Sequence, residues 1–343
     1  DFRKRFLPEL KALFVQILLI AQTMGLLKIG KVSLDGTKVK ANASKHHALS
    51  WKHACKLEEQ LEGEVAELLV KADKADQEQQ DGGMDIPEEI ARREDRLKAI
   101  AAAKAEIAKR AHARFIKEKE AYETKMAEQR KNEQETGKKT SGKKAKPPEA
   151  GPRDKDQVNL TDPDSRIMPS SSGFEQAYNA QACVDIETNI ILENHLTQQP
   201  NDKLEVEPAL KNLTSLPEEL GKVAVILADT GYNSRANVLQ CEEKGIVPYI
   251  ACGRQKHHIP IKERFSEPPP IAEEAEPVTK MEHRLKTTAG KKIYAKRKTT
   301  IEPTFGVIKQ VLGFRQFLLR GFQAASGEWN LVSIAYNLKK LHA

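Results

Sequence analysis

Residues 222–229 read KVAVILAD, and their character governs how the remainder of the chain is read. The apolar residues over 223–228 run on without interruption, which marks a β-strand covered on both faces, the place of central strands in α/β sheets. The run stops at Asp229, at the carboxyl end, where open α/β sheets place their functional groups. On either side the pattern continues in kind. A short helix over 233–244 leads to a second β-rich run at 246–251, and helical spacing (Leu204, Val206, Leu210, Leu213) precedes over 203–215. Before that, 177–186 and 189–196 are β-rich runs parted by Glu187-Thr188, a hairpin signal. At 29–41 the residues IGKVSLDGTKVKA alternate around Val32 and Leu34, reach Asp35-Gly36 and resume at Val39, which predicts a strand, a tight turn or bulge, and more strand. Helical spacing governs 2–27, returns at Thr300 (Ile301, Phe305, Ile308, Val311, Leu312) and closes the chain over 329–341. Residues 253–290, rich in Pro, His and Lys, read as a loop or irregular arm. The fold class is α/β, a mixed sheet flanked by helices.

A second composition interrupts this pattern. From about residue 45 to 134 the chain is rich in Ala, Glu, Lys, Leu and Arg. Leu57, Leu61, Val65 and Leu68 form one apolar stripe; Ile90, Leu97, Ile100, Ile107 and Ala111 form a second, near-heptad one. Asp81-Gly82-Gly83 breaks the helix, and Pro87 with Glu88 and Glu89 starts another. The expected organisation is therefore an amino-terminal helix and first strand (1–44), an inserted helical hairpin (45–134), a flexible linker (135–158) and the rest of the α/β domain (159–343). The hairpin's seam is weak, with Lys104 at a position that should be apolar. It reads equally as a dimerisation coiled coil, a DNA-contacting insertion or a spacer.

Composition narrows the class. No stretch of the 343 residues reaches the ~18 uncharged apolar residues of a spanning helix. The apolar start after Arg3, Lys4 and Arg5 is interrupted by Gln16, Gln22 and Thr23 and lacks a cleavage site, so it reads as an amphipathic helix. Four scattered cysteines (Cys55, Cys183, Cys241, Cys252) form no C-x-x-C pair, which excludes a disulfide scaffold and fits a reducing, cytoplasmic compartment. The net charge of +7 is unevenly spread. Residues 284–298 hold seven Lys or Arg and no acid, beside ordered-looking apolar sequence, and this is the stronger candidate for a phosphate-binding surface. A second cluster (Lys138, Lys139, Lys143, Lys144, Lys146) lies in Gly-, Ser- and Pro-containing sequence. The chain begins inside a helical pattern at Asp1 and reads as a piece of a longer protein.

Three acids stand out by position: Asp35, Asp229 and Glu302. Each has an ordinary reading, Asp35 as a turn residue, Asp229 as a helix cap and Glu302 as a first-turn acid favoured by the helix dipole. Together on one α/β frame they suggest an acidic cluster for two divalent ions. His46-His47 and His257-His258 lack metal-ligand spacing, and Asp162 and Asp164 read as turn formers. Phe322 and Trp329 read as core.

The segments VSLDGTKVKANAS (32–44), DPDSRIM (162–168), GFEQAYNAQACVD (173–185), ILADTGYNS (226–234) and IEPTFGVIKQVLGFRQFLLRG (301–321) resemble the DDE transposases of bacterial insertion sequences, in particular the subgroup with a helical insertion after the first catalytic strand. The resemblance implies an RNase H-like domain in which Asp35, Asp229 and Glu302 are catalytic and bind two Mg²⁺ ions, with Mn²⁺ able to substitute. It also implies a signature of Tyr, two residues, Arg, three residues, Glu, six residues, Lys. Tyr294 and Arg297 fit, as do Glu302 and Lys309; the Arg-to-Glu gap is four residues, so Lys298 holds the signature spacing. Lys309 lies two turns from Glu302 on one helix face, where a cation could grip a phosphate.

The expected activity is metal-dependent DNA cleavage and strand transfer at insertion-sequence ends by an amino-terminally incomplete chain. A nuclease without strand transfer and a non-catalytic DNA-binding remnant are the alternatives. Double-stranded DNA is the expected partner, contacted by Tyr294, Arg297, Lys298, Lys309 and Arg320, with a homodimer also in view.

Overall fold

In chain order the elements are α1 (Leu7–Thr23), β1 (Lys31–Lys40), β2 (Ala48–Ser50), α2 (Trp51–Glu78), α3 (Ile86–Thr136), β3 (Gln157–Asn159), β4 (Arg166–Ser170), β5 (Gly173–Asp185) and β6 (Ile191–Thr197). They continue with α4 (Val206–Thr214), β7 (Val225–Ala228), α5 (Arg235–Glu243), β8 (Val247–Ile250), α6 (Pro277–Lys286), α7 (Thr288–Gly306) and α8 (Phe322–His342). This computed structural model describes residues 5–78, 86–136, 146–170, 173–253, 266–272 and 274–342. The chain divides into two compact units, one formed by Asp1–Ala43 with Asp164–Ala343 and the other by Ser44–Pro163.

The first unit is built on one mixed sheet. β1 pairs antiparallel with β5 and parallel with β7, β7 pairs parallel with β8, and β6 pairs antiparallel with β5. The resulting order is β6-β5-β1-β7-β8, with β4 against the opening residues of β5. Flanked by helices, this is the α/β class expected from the sequence, and it is consistent with an RNase H-like domain. The apolar run behaves as its composition demands. Ile226 and Ala228 enter the main core with Leu34, Leu210 and Trp329, whereas Leu227 joins Ile186 and Tyr249 in a smaller cluster that Ile293 and Tyr294 of α7 cover. Tyr178, Phe314, Phe317 and Trp329 pack as an aromatic group, and the Trp329 indole donates to the Gln181 carbonyl at 3.0 Å.

Two expectations need correction. Asp35-Gly36 is no turn: β1 runs straight through it, paired with β5 at every residue from Val32 to Lys40. The glycine serves packing instead. A Cβ there would meet Gln181 Nε2, and would lie 2.7 Å from both Asn179 Oδ1 and Asp202 Oδ1. Within 253–290, where an irregular arm was expected, α6 forms and α7 begins at Thr288, its first turn capped by the Thr287 hydroxyl accepting from Gly290 N–H. The lysine-rich start of α7 carries no continuous apolar stripe. This start is packed on the sheet through Ile293 and Tyr294, and further along α7 Ile301 and Phe305 enter the main core.

In the second unit, α2 and α3 share a small core of Leu61, Ile100, Ala103 and Ile107, closed by Leu49 and Val158 of the β2–β3 pair. Lys104 is accommodated in the seam by Glu58, at 2.5 Å, and by the face of Trp51. The helix break at 81–83 and His257-His258 lie outside the described residues, as does the 138–146 lysine cluster except Lys146. Among the described residues, no helix is long and apolar enough to cross a membrane.

Gly36→Ala should destabilise the fold by roughly 1–3 kcal/mol, the usual cost of overpacking a filled site. Equilibrium urea denaturation of the two proteins measures it; equal midpoints would mean that the amide layer beneath Gly36 moves aside freely.

Candidate active site

The β1–β7 register builds the site. Ser33 pairs with Leu227 in the last step of the parallel ladder, so two residues further on Asp229, just past the end of β7, comes beside Asp35, which is still within β1. By strand alternation both face the side that carries Leu227, which is the side α7 covers. Each aspartate then uses one oxygen locally. Asp35 Oδ1 accepts from Gly36 N–H at 2.9 Å, and Asp229 Oδ1 accepts from Gly231 N–H at 2.8 Å, capping the one-turn helix Thr230–Tyr232. The cap reading of Asp229 is thus realised, and it leaves the second oxygen free for other work.

Those second oxygens converge on one cation. Arg297 Nη2 donates to Asp35 Oδ2 at 2.7 Å and lies 3.9 Å from Asp229 Oδ2. Among the described residues its buried Nε has no hydrogen-bond partner. Burial pushes Asp35 up to about 6, against the downward pull of Arg297 and of the Gly36 N–H, and with the like charges of Asp229 and Asp202 adding to the rise.

The other expected residues lie along the same helix and beyond it. The Tyr294 hydroxyl donates to the Ala228 carbonyl at 3.3 Å, immediately before Asp229, and burial raises its pKa. Lys298 is exposed on α7. Lys309, in the π-helical segment Val307–Val311 that continues α7, donates to Thr37 Oγ1 at 2.5 Å and to the Lys38 carbonyl at 3.1 Å. Burial lowers its pKa, and the neighbouring Lys38 adds to that. Arg320 is exposed, and its Nε donates to the Asn42 carbonyl at 3.2 Å. Glu302 is exposed on α7, and among the described residues no hydrogen bond or ion pair joins it to either aspartate. Nor, among the described residues, do three His, Cys, Asp or Glu side chains come together as a ready metal centre. The structure therefore brings together Asp35, Asp229, Arg297 and Tyr294, and leaves Glu302 on the helix surface; the π-helical segment Val307–Val311 breaks the regular spacing expected to put Lys309 on the same face. Of the acids in DPDS, Asp164 accepts from Phe322 N–H at 3.0 Å, at the start of α8.

Sequence reasoning missed the opposite side of β1. There Asp202 accepts from Asn179 Nδ2 at 2.6 Å, Gln181 Nε2 at 2.7 Å and Lys38 Nζ at 3.3 Å. The available signal was the strand AYNAQACVD, where Asn179 and Gln181 interrupt an apolar run on one face.

With this geometry in view, the relationship to known proteins can be stated. Residues 251–342 match the family described as the transposase DDE domain, a segment that contains Tyr294, Arg297, Lys298, Glu302, Lys309 and Arg320. The match supports a DDE transposase and agrees with the resemblance carried by the sequence motifs. Comparison with curated proteins and with solved structures gave no match.

The raised Asp35 pKa has a stability consequence. The folded state holds this proton more tightly than the unfolded chain does, so this group's contribution is full below about pH 4 and is lost as pH rises through about 6. Asp35→Asn, which mimics the protonated form, should therefore be more stable than wild type at pH 7.5, by on the order of 2 kcal/mol, with the difference closing toward pH 4. Thermal unfolding followed across that range checks it, and a pH-independent difference would contradict it.

Proposed function

We propose that this chain is a transposase that cleaves and joins DNA at insertion-sequence ends, with Asp35, Asp229 and Glu302 as its metal-holding acids. The observation that carries the reading is the convergence of two carboxylates, one from within β1 and one from the end of the neighbouring β7, on one cation position, in a chain whose carboxyl-terminal segment matches the transposase DDE domain. The donor set suits the group the family implies. Carboxylate oxygens are the ligands that hard divalent ions take, and Asp35 Oδ2 and Asp229 Oδ2 already share a positive partner. Mg²⁺, or Mn²⁺ in its place, supplies activation of the attacking oxygen and stabilisation of the leaving oxygen when bound. Glu302, carried by the same helix as Arg297, is the third acid of the set that the resemblance implies.

The chain's own residues do the rest. Arg297 keeps the two like charges of Asp35 and Asp229 together, and its Nε, without a hydrogen-bond partner among the described residues, suits a guanidinium that can turn from carboxylate to phosphate. Tyr294 ties α7 to the end of β7, so the helix that carries Glu302 is held against the acids. Lys309 is fixed beside Thr37, two residues past Asp35, where its charge favours an approaching phosphate. Lys298 and Arg320, both exposed, position the double-stranded DNA through its backbone without reading sequence. Soluble action in the bacterial cytoplasm on nucleoid DNA, as a homodimer, fits this reading.

Asp35→Asn, Asp229→Asn and Glu302→Gln should each abolish Mg²⁺-dependent cleavage of end-bearing DNA while binding persists, because each keeps shape and removes one ligand charge. A variant that cleaves at near wild-type rate removes its residue from the acid set. Lys298→Ala with Arg320→Ala should weaken DNA binding irrespective of sequence, and flatten the logarithmic salt dependence by roughly one unit per lost contact. Salt titrations with parallel slopes and equal affinities would put the DNA surface elsewhere.

A further inference from the structure

Asp202 stands in the connection between β6 and α4, where its carbonyl accepts from Glu205 N–H at 3.1 Å. Its side chain approaches β1 from the face opposite Asp35. Oδ1 takes donors from Asn179, Gln181 and Lys38. In the β1–β5 register Asn179 stands opposite Lys38 and Gln181 opposite Gly36, so these donors form one patch around the residue next to Asp35. The bare Cα of Gly36 leaves the room that this patch occupies.

The same carboxylate reaches the second acid-bearing segment. The Tyr232 hydroxyl, in the turn that Asp229 caps, donates to Gln181 Oε1 at 2.5 Å, and Gln181 in turn donates to Asp202. Asp202 Oδ2 itself borders that turn. A Cβ placed on Gly231 would lie 3.6 Å from it and 3.0 Å from Asp229 Oδ1. Asp202 thus bonds the strand of Asp35 through Lys38 and reaches the turn of Asp229 through Gln181 and Tyr232, from behind both.

We propose that Asp202 is a positioning residue that sets the separation of Asp35 and Asp229, and through it the affinity of that pair for a divalent cation. The proposal rests on the reading of these two aspartates as metal-holding acids. Groups that orient metal ligands without touching the metal commonly matter about 10–100-fold for affinity.

The test is calorimetric titration of Mn²⁺ into the wild-type chain and into Asp35→Asn, Asp202→Asn and Asp202→Glu, with thermal unfolding of each. Wild type should bind and Asp35→Asn should not. Asp202→Asn should bind about ten-fold more weakly or worse, with cleavage recovered by excess Mn²⁺ and KM for DNA unchanged. Asp202→Glu separates position from charge: it keeps the charge and moves the carboxylate by one methylene, so it should also bind weakly. Wild-type affinity in either Asp202 variant overturns the proposal. Failure of wild type to bind Mn²⁺ overturns instead the reading of the two aspartates. If the Asp202 variants do not fold, Tyr232→Phe cuts the same tie without altering charge. It should weaken Mn²⁺ binding several-fold, and unchanged affinity there overturns the proposal equally.

Discussion

Two carboxylates set side by side repel, and the parallel ladder between β1 and β7 sets Asp35 and Asp229 side by side. Much of the surrounding chemistry answers that repulsion. Glycine N–H groups bind one oxygen of each aspartate, and Arg297 faces the other two. Arg297 is itself placed by a helix whose anchors, Ile293 and Tyr294, rest on Leu227 and Tyr249. The raised pKa of Asp35 shows that these partners do not fully offset its burial. Mismatches of this kind between burial and charge are commoner at functional sites than elsewhere in a fold.

The mismatch is tolerable because the opposite face of the sheet is so fully packed. Leu34, Ile226 and Ala228 enter a core shared with α1, α4 and α8. α8 is fastened to β6 by Asn337, which donates to the Ile191 carbonyl and accepts from its N–H, and to β5 by the Trp329 indole. A strand clamped along one face can carry charge along the other without shifting register. Register is the property on which the meeting of the two aspartates depends.

The central strand, the hairpin of β5 and β6 and the separate helical stretch were legible because each rests on periodicity. Val225–Ala228 needs only its apolar run, and α2 and α3 only their spaced leucines and isoleucines. The path of β1 through Asp35-Gly36 was not legible, since Asp-Gly is a turn dipeptide unless a neighbour fills the glycine's space, and that neighbour lies far along the chain. The start of α7 was hidden for a related reason: two tertiary anchors, and no stripe, stabilise it. Asp35 and Asp229 could be picked out by strand position. The shared contact with Arg297, which joins residues 262 positions apart, could not be picked out by spacing alone. Asp202 gave no local sign at all, because its meaning lies in what it reaches.

The order in which the chain is made adds a further consequence. β1 pairs with β5, yet the whole Ser44–Pro163 unit is encoded between them. At ribosomal rates of about 5–20 residues per second, the first strand waits roughly 10–30 s after emergence for its first partner, and longer for α7. During that interval it is a β-rich segment with both edges open, exposed to chance pairing. Charge at Asp35, Lys38 and Lys40 and the bare backbone at Gly36 make it a poor template for such pairing. Asp35 and Lys38, which in the folded chain pair with Arg297 and Asp202, would then first serve as safeguards of a nascent chain.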